Sequence, residues 1–289
     1  MIQTVDRASV LAGVAILAGG TVTVANNTSL TLQGALANAG TLLLASANNY
    51  TALAAAGAVT LQGGTVQMSD NFENRVTSDG AAAALANAGA VAGAGRLGDG
   101  DGNLSLSNTG TVFATGANAL VVSTPGHAVI NAGTLGATGA GGLQVLGDVA
   151  NAGLVWADGG RVFIGGAVTG AEQGRITGAA ALEFGGAVSA GQAVEFDVGA
   201  TGTLVLDASA AFAGVIAGLA RDGSTRVDLA DLGFAGAVGS YSGTVAGGTL
   251  QVANGTRTVG LAVAGNYVGA SVALADDGRG HVLAGLIRP

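Results

Sequence analysis

The sequence predicts an all-β fold, a single-stranded parallel β-helix (β-solenoid) with coils of about 20 residues. The first observation is a recurring motif, Asn-x-Gly followed by a short apolar strand, which starts at Asn38, Asn87, Asn108, Asn131 and Asn151. The last four copies are 21, 23 and 20 residues apart (108−87, 131−108, 151−131), and the first gap of 49 (87−38) fits two slightly long repeats. Such a period suits one coil, because each coil buries its inward side chains only against its neighbours.

The second observation is that apolar and polar residues alternate through short segments, as in 21–24, 29–32 and 249–252. Alternation of this kind is typical of strands with one buried face. The chain has 53 glycines, but with 49% hydrophobic residues it has the apolar surface that disordered chains lack. Glycines every few residues also disfavour long helices. We therefore expect four residues near the Asn-x-Gly corners to face the core: Leu106, Val112, Leu135 and Val155.

Taken in order, residues 1–202 are predicted to be solenoid coils. The apolar run 10–18 is interpreted as part of a first coil, since its flank is not basic and strand alternation follows it directly. The repeated asparagines either stack from coil to coil or serve only as turn formers, and the sequence leaves both open. From residue 203 the repeat changes and charges cluster at 221–231. Residues 203–289 are therefore expected to form a C-terminal capping or junction module.

Composition argues against several classes of function. The chain has no cysteine, so it forms neither a disulfide framework nor a cysteine-based metal site. Its net charge is −8, and all ten of its basic residues are arginines scattered singly. Nucleic acids and anionic membranes require concentrated positive charge, so we expect neither as a partner. The longest apolar run is too short to span a bilayer, and we expect no membrane insertion.

Three carboxylates form a candidate catalytic set. Glu195 and Asp197 flank Phe196 in one predicted strand, which places both on the outward face about 7 Å apart. That distance lies within the range of about 6.5–9.5 Å between the acid and the base of inverting glycosidases. Glu183, outward in a neighbouring strand, could join them from an adjacent coil. We favour a solvated outer face, so no catalytic residue is assigned and the chain is not expected to be an enzyme.

The segment 98–103 resembles a calcium loop, because Asp99, Asp101 and Asn103 place oxygens at alternate positions. The glycine expected at the sixth position is replaced by Leu104, and the acidic residue expected at the twelfth is replaced by Gly110. A turn is the better interpretation. We expect no bound metal and no cofactor.

The Asn-x-Gly-Thr coils of 38–155, together with Leu-Val-Leu-Asp and Asp-Gly-x-Gly segments in 203–280, resemble the large repetitive surface and secreted proteins of bacteria. These include autotransporter passengers and filamentous-haemagglutinin-like adhesins. The resemblance implies an extracellular or cell-surface location and a structural or adhesive role. Host or neighbouring-cell surface molecules, or glycans, would then be the partners. Two alternatives stay open: a polysaccharide-cleaving enzyme on a β-helix scaffold, and a self-assembling fibre subunit that associates end to end.

Overall fold

The computed structural model describes residues 2–255 and 257–288, and its regular structure is almost entirely β-strand. Within that described part, the one helical element is a single 3₁₀ turn, Ser209–Ala211. The chain divides into two compact units, Met1–Gly153 and Leu154–Pro289. Stacked parallel coils build each of them, which confirms the predicted β-solenoid.

Each coil of the first unit contains three short strands, and each strand pairs in parallel with its counterpart one coil away. Thr21 pairs with Thr41, Thr41 with Thr65, and Thr65 with Ala90, so successive coils are 20, 24 and 25 residues long. The coils differ in length because the corners between their strands differ in length. The corner between Ala90–Gly93 and Gly95–Leu97, for example, is a single residue. The predicted coil of about 20 residues is therefore the lower end of the observed range.

The strands of the first unit form three columns, which we call ladders one, two and three. Ladder one holds the strand before each Asn-x-Gly corner, ladder two the strand after it, and ladder three the next strand along the chain. Two long strands, Ser29–Asn38 and Thr51–Gln62, bend so that their first halves lie in ladder three and their second halves in ladder one. The remaining strands are Ala15–Ile16, Ala83–Asn87, Leu104–Asn108, Val129–Asn131 and Val149–Asn151 in ladder one; Ile2–Gln3, Thr21–Ala25, Thr41–Ala45, Thr65–Met68, Ala90–Gly93, Thr111–Ala114 and Thr134–Ala137 in ladder two; and Ser9–Ala12, Asn74–Ser78, Gly95–Leu97, Leu120–Val122 and Leu143–Val145 in ladder three.

The second unit begins with the same three-strand coil and ends in antiparallel hairpins. Its ladder two contains Leu154–Asp158, Gln173–Thr177, Ala193–Phe196 and Val215–Ala217, and its ladder three contains Val162–Ile164, Ala181–Phe184, Thr203–Leu206 and Arg226–Gly233. Ladder one shortens to Val168–Gly170 and single bridges at Val188 and Phe212. Arg257–Ala264 continues ladder two, because it pairs in parallel with Val215–Ala217. It also pairs antiparallel with Gly247–Asn254, which pairs antiparallel with Val238–Gly243, and Ser271–Asp276 and His281–Ile287 form a further antiparallel pair.

The change from parallel to antiparallel pairing does not coincide with the predicted boundary at residue 203. Thr203–Leu206 pairs in parallel with Ala181–Phe184, as an ordinary coil strand does. In ladder three, the antiparallel pairing is that of His281–Ile287 with Arg226–Gly233. The proposed role of 203–289 as a cap or junction stays a prediction.

Aliphatic side chains fill the interior of each unit. The four predicted core residues, Leu106, Val112, Leu135 and Val155, are each at most 1% exposed, which confirms the predicted strand register. Full burial of a side chain of this size is worth about 1.5–3 kcal/mol relative to an exposed one. Because the same inward positions recur in every coil, this contribution repeats along each ladder.

The repeated asparagines form a buried amide ladder. Asn87, Asn108, Asn131 and Asn151 each end a strand of ladder one and are at most 1% exposed. The Nδ2 of each of the first three donates to the Oδ1 of the next, at 2.8, 2.9 and 2.8 Å. The amides also serve the turn, because the backbone N–H of Gly89 donates to Asn87 Oδ1 at 3.2 Å. These asparagines therefore both stack from coil to coil and serve as turn formers.

The glycine of the motif is required by close packing. A Cβ added at Gly89, Gly110, Gly133 or Gly153 would overlap the carbonyl oxygen of the corresponding glycine one coil earlier. The corners thus stack backbone on backbone, and any larger residue would push two coils apart. Other corner glycines, such as Gly34 and Gly57 with φ of 71° and 68°, are instead needed for a left-handed backbone.

The amide ladder predicts a large effect for Asn108→Ala. The change removes one acceptor from Asn87 and one donor from Asn131 and leaves a small void, so we expect a loss of about 2–4 kcal/mol in the free energy of unfolding. Ser107→Ala, at the neighbouring outward position, should cost less than about 0.5 kcal/mol. Urea denaturation of the two variants checks this. Equal midpoints would mean that the buried amides contribute little.

Glycine packing predicts opposite outcomes for two alanine substitutions. Gly133→Ala places a Cβ against the Gly110 carbonyl and should lower the melting temperature by several degrees. At Gly147 nothing lies within 4 Å of the added Cβ, so Gly147→Ala should leave the melting temperature unchanged or slightly raised. Thermal unfolding followed by circular dichroism measures both. A Gly133→Ala variant as stable as the parent would contradict the packing argument.

Candidate functional site

Glu195 and Asp197 lie on the outer side of ladder two in the second unit, as predicted from their alternation with buried Phe196. Both carboxylates bind side chains of the preceding coil. Gln173 Nε2 donates to Glu195 Oε2 at 2.8 Å, and Arg175 Nε donates to Asp197 Oδ1 at 2.7 Å. These contacts join one coil to the next.

A short hydrogen-bond chain completes the network around Asp197. Trp156 Nε1 donates to Thr177 Oγ1 at 2.9 Å, and Thr177 Oγ1 donates to Asp197 Oδ2 at 2.8 Å. The hydrogen bond from Arg175 holds the pKa of Asp197 below its ordinary value, so this carboxyl stays ionised. A group held in that state is a poor general acid at neutral pH.

Glu183 does not join this pair. It lies in ladder three, where it pairs in register with Phe163 and Val205, whereas Glu195 lies in ladder two. The two strands form different sides of the coil. The hypothesis of a three-carboxylate site is therefore wrong in its placement of Glu183, although Glu183 does point outward and is bound by Arg161 at 2.8 and 2.5 Å.

The structure instead brings Glu183 close to three other carboxylates. Together with Asp207, Asp228 and Asp277 it lines a cleft of about 340 Å³ on the ladder-three side of the second unit. Two arginines, Arg161 and Arg279, also line this acidic cleft. Asp277 lies in this cleft because the strand after it, His281–Ile287, pairs antiparallel with Arg226–Gly233. In this pairing Asp228 lies opposite Leu283.

The environments of Asp228 and Asp277 move their acidities in opposite directions. Burial, with a further contribution from the negative charge of Asp277, raises the pKa of Asp228 to about 6. Its Oδ1 is buried and, within the described part of the chain, accepts no hydrogen bond. Partial burial acts against ionisation of Asp277 too, but hydrogen bonds from the backbone N–H groups of His281 and Arg279 lower the pKa of Asp277 to about 2.

Burial also raises the pKa of Asp207, with the charge of Glu183 adding to the effect. The cleft thus holds carboxyls of different acidity side by side, an arrangement that can separate a proton donor from an ionised partner. The sequence indicates the residues of this acidic cleft in part, since 221–231 and 276–279 are rich in charge in a chain with only 10% charged residues. The antiparallel pairing that joins these segments could not be inferred from a parallel repeat.

The suspected calcium residues have protein partners. Asp101 accepts hydrogen bonds from the backbone N–H and the side-chain amide of Asn103, at 3.0 and 2.7 Å, which is the geometry of a turn. Asp99 forms an ion pair with Arg75 at 3.5 Å. Among residues 2–255 and 257–288, no group of three or more His, Cys, Asp or Glu side chains is placed to hold a metal ion.

No family model matches the chain, and no curated protein was found to be similar to it. Within the described residues there is no helix of the length and apolarity needed to cross a membrane.

The acidic cleft predicts a specific dependence of stability on pH. Because the pKa of Asp228 is higher in the folded chain than its ordinary value of 3.8, folding favours its protonated form. Stability from this group is therefore fully present below about pH 4 and is lost as the pH rises through about 6. Asp228→Asn should remove that loss and stabilise the chain at pH 7.5 by about 1 kcal/mol, since solvent near the half-buried carboxyl screens part of the effect.

Thermal unfolding between pH 4 and 8 measures this difference. Asp222→Asn is the matched control, because hydrogen bonds from Ser224 lower the pKa of Asp222 and its neutralisation should bring no gain. A difference between Asp228→Asn and the parent that is the same at pH 4 and pH 7.5 would show that the carboxyl is not perturbed.

Proposed function

We propose that this chain is a structural, adhesive segment of a bacterial cell-surface or secreted protein, and that it binds through the lateral faces of its coils. The supporting observation is the contrast between the two sides of ladder two. Inward, the paired column reads Val22, Leu42, Val66, Val91, Val112 and Leu135, and the adjacent outward column reads Thr23, Leu43, Gln67, Ala92, Phe113 and Gly136.

The inward column keeps one chemistry and the outward column changes at every coil. Together with the asparagine and glycine stacks, this means that the repeated part of the sequence maintains the scaffold. The varied part faces outward, and solenoids use such extended outer faces for binding. The bacterial and extracellular assignment rests on the resemblance of the coils to repetitive surface proteins. The absence of cysteine is in keeping with it.

Adhesion can be tested with the purified full chain coupled to fluorescent beads. We expect saturable binding of the beads to bacterial or animal cells, competed by the free chain. Beads coated with serum albumin provide the baseline, and a chain unfolded by heat before coupling controls for non-specific adhesion. Binding no greater than that of albumin beads across both cell types would contradict the proposed function.

The acidic cleft supports a second candidate, cleavage of a polysaccharide. In this mechanism Asp228, whose pKa is raised to about 6, would protonate the leaving glycosidic oxygen. The ionised Asp277 would take a proton from the water that attacks the anomeric carbon, so that a C–O bond to water replaces the glycosidic bond. The observation that favours it is the opposite shift of two carboxyls that line one cleft.

Incubation of the full chain with neutral and acidic polysaccharides, followed by a reducing-end assay, tests this alternative. Activity that falls by at least about a hundredfold in Asp228→Asn, but not in Asp222→Asn, would support it. Cleavage that is equal in Asp228→Asn and the parent would exclude these residues as the catalytic pair.

A further inference from the structure

A second cleft, of about 370 Å³, crosses ladder three of the first unit. Its floor includes Ala52 and Ala54, which alternate with the core residue Leu53 and therefore point outward. They are nevertheless only 1% and 9% exposed. Side chains of the neighbouring coils therefore stand above these two alanines. The cleft is thus a trough across neighbouring coils, and Ser29, Thr31 and Thr77 complete its floor.

The ring of Tyr50, which lines the trough, lies close to two arginines. The guanidinium carbon of Arg7 lies 5.6 Å from the centroid of the Tyr50 ring, and that of Arg75 lies 6.0 Å from it. Arg75 is itself held by Glu73 at 3.1 Å and Asp99 at 3.5 Å. Cation–π contacts and ion pairs of this kind fix the ring, so Tyr50 lines the trough in a preorganised position.

The other residues that line the trough add oxygen atoms. Asp79 lies in a turn, in which its Oδ1 accepts the backbone N–H of Ala81 at 3.2 Å and its own N–H donates to the carbonyl of Ala55 at 3.0 Å. Asp99 and Asp101 belong to the segment that resembles a calcium loop. The lining therefore combines three carboxylates, several hydroxyl groups, one arginine and one phenol above a floor of small side chains.

This chemistry selects among ligands. Three carboxylates against the single lining arginine would repel phosphates and acidic glycans. Each carboxylate already has a protein partner, Arg75, Asn103 or Ala81, which is not the open arrangement that a cation needs. The floor strands pair with a strand on each side, so no backbone edge is free to add a peptide strand.

We propose that this trough binds a neutral oligosaccharide, whose hydroxyl groups donate to the carboxylates and exchange hydrogen bonds with Ser29, Thr31, Thr77 and Tyr50. The volume falls within the range of about 300–1,000 Å³ typical of small-ligand sites. The inference rests on the proposed function, because it names a ligand class and a location for the proposed binding through a lateral face.

The test uses the full chain and isothermal titration calorimetry with cello-, malto- and chito-oligosaccharides, with oligogalacturonate as an acidic comparison. Thr31→Trp fills the trough without removing a hydrogen bond described for Thr31, and it should weaken binding of the neutral ligand by about tenfold or more. Val121→Trp, an outward position of ladder three away from the trough, is the matched control and should bind as the parent does. Asp79→Asn is a milder variant, useful if Thr31→Trp does not fold by circular dichroism, and it should also weaken binding.

Any of three results would overturn the inference. The first is that no neutral oligosaccharide binds the parent, the second is that oligogalacturonate alone binds, and the third is that the parent and the folded trough variant bind with equal affinity. The bead adhesion assay with the same variants separates it from the proposed function. Adhesion that persists unchanged in the trough variant would leave the adhesive role standing and refute the trough as its site. Glycan binding that is lost in the trough variant, without any cell adhesion by the parent, would support the trough and refute the adhesive role.

Discussion

The structure depends on the contact between successive Asn-x-Gly corners. At the corners that begin with Asn87, Asn108 and Asn131, a buried side-chain amide donates to the amide of the next coil. The glycine of each corner lets two backbones meet where no Cβ fits. Burying an amide costs free energy unless its hydrogen bonds are made, and here the adjacent coil makes them. The contact therefore sets the register of the coils and gives the core strands their alignment. It also explains why Asn and Gly recur at these corners.

Once the corners and the aliphatic interior hold the coils together, the outward positions are free to differ. In the second unit they carry cross-coil contacts such as Arg175 with Asp197 and Arg161 with Glu183. Exposed pairs like these contribute little individually to stability. Their effect is to give each face its own pattern of charge. The acidic cleft and the trough of the first unit are both consequences of that freedom, and they differ because the outward side chains of their strands differ.

The sequence predicted the coil, the strand alternation and the burial of residues such as Leu106 and Val155, because these depend on local periodicity. It misplaced Glu183, because corners of unequal length decide which ladder a strand joins, and a spacing of a dozen residues does not reveal this. It could not show that Asp228 and Asp277 line one cleft, since this requires a strand that returns antiparallel. Leu61 is a further case: it pairs with Asn87 at a corner without the motif, where Gly63 and Gly64 both have positive φ and supply the turn instead.

The most direct test of the account is hydrogen exchange of the asparagine side-chain amides, followed by nuclear magnetic resonance of the isotopically labelled full chain. If the buried amide ladder holds the coils together, the side-chain N–H groups of Asn87, Asn108 and Asn131 should exchange about as slowly as the backbone N–H groups of the strands that they end. The exposed amide of Asn27 should exchange at once. Rapid exchange at Asn108 with slow exchange of its neighbouring backbone would contradict the central claim, since the coils would then be held together without the ladder.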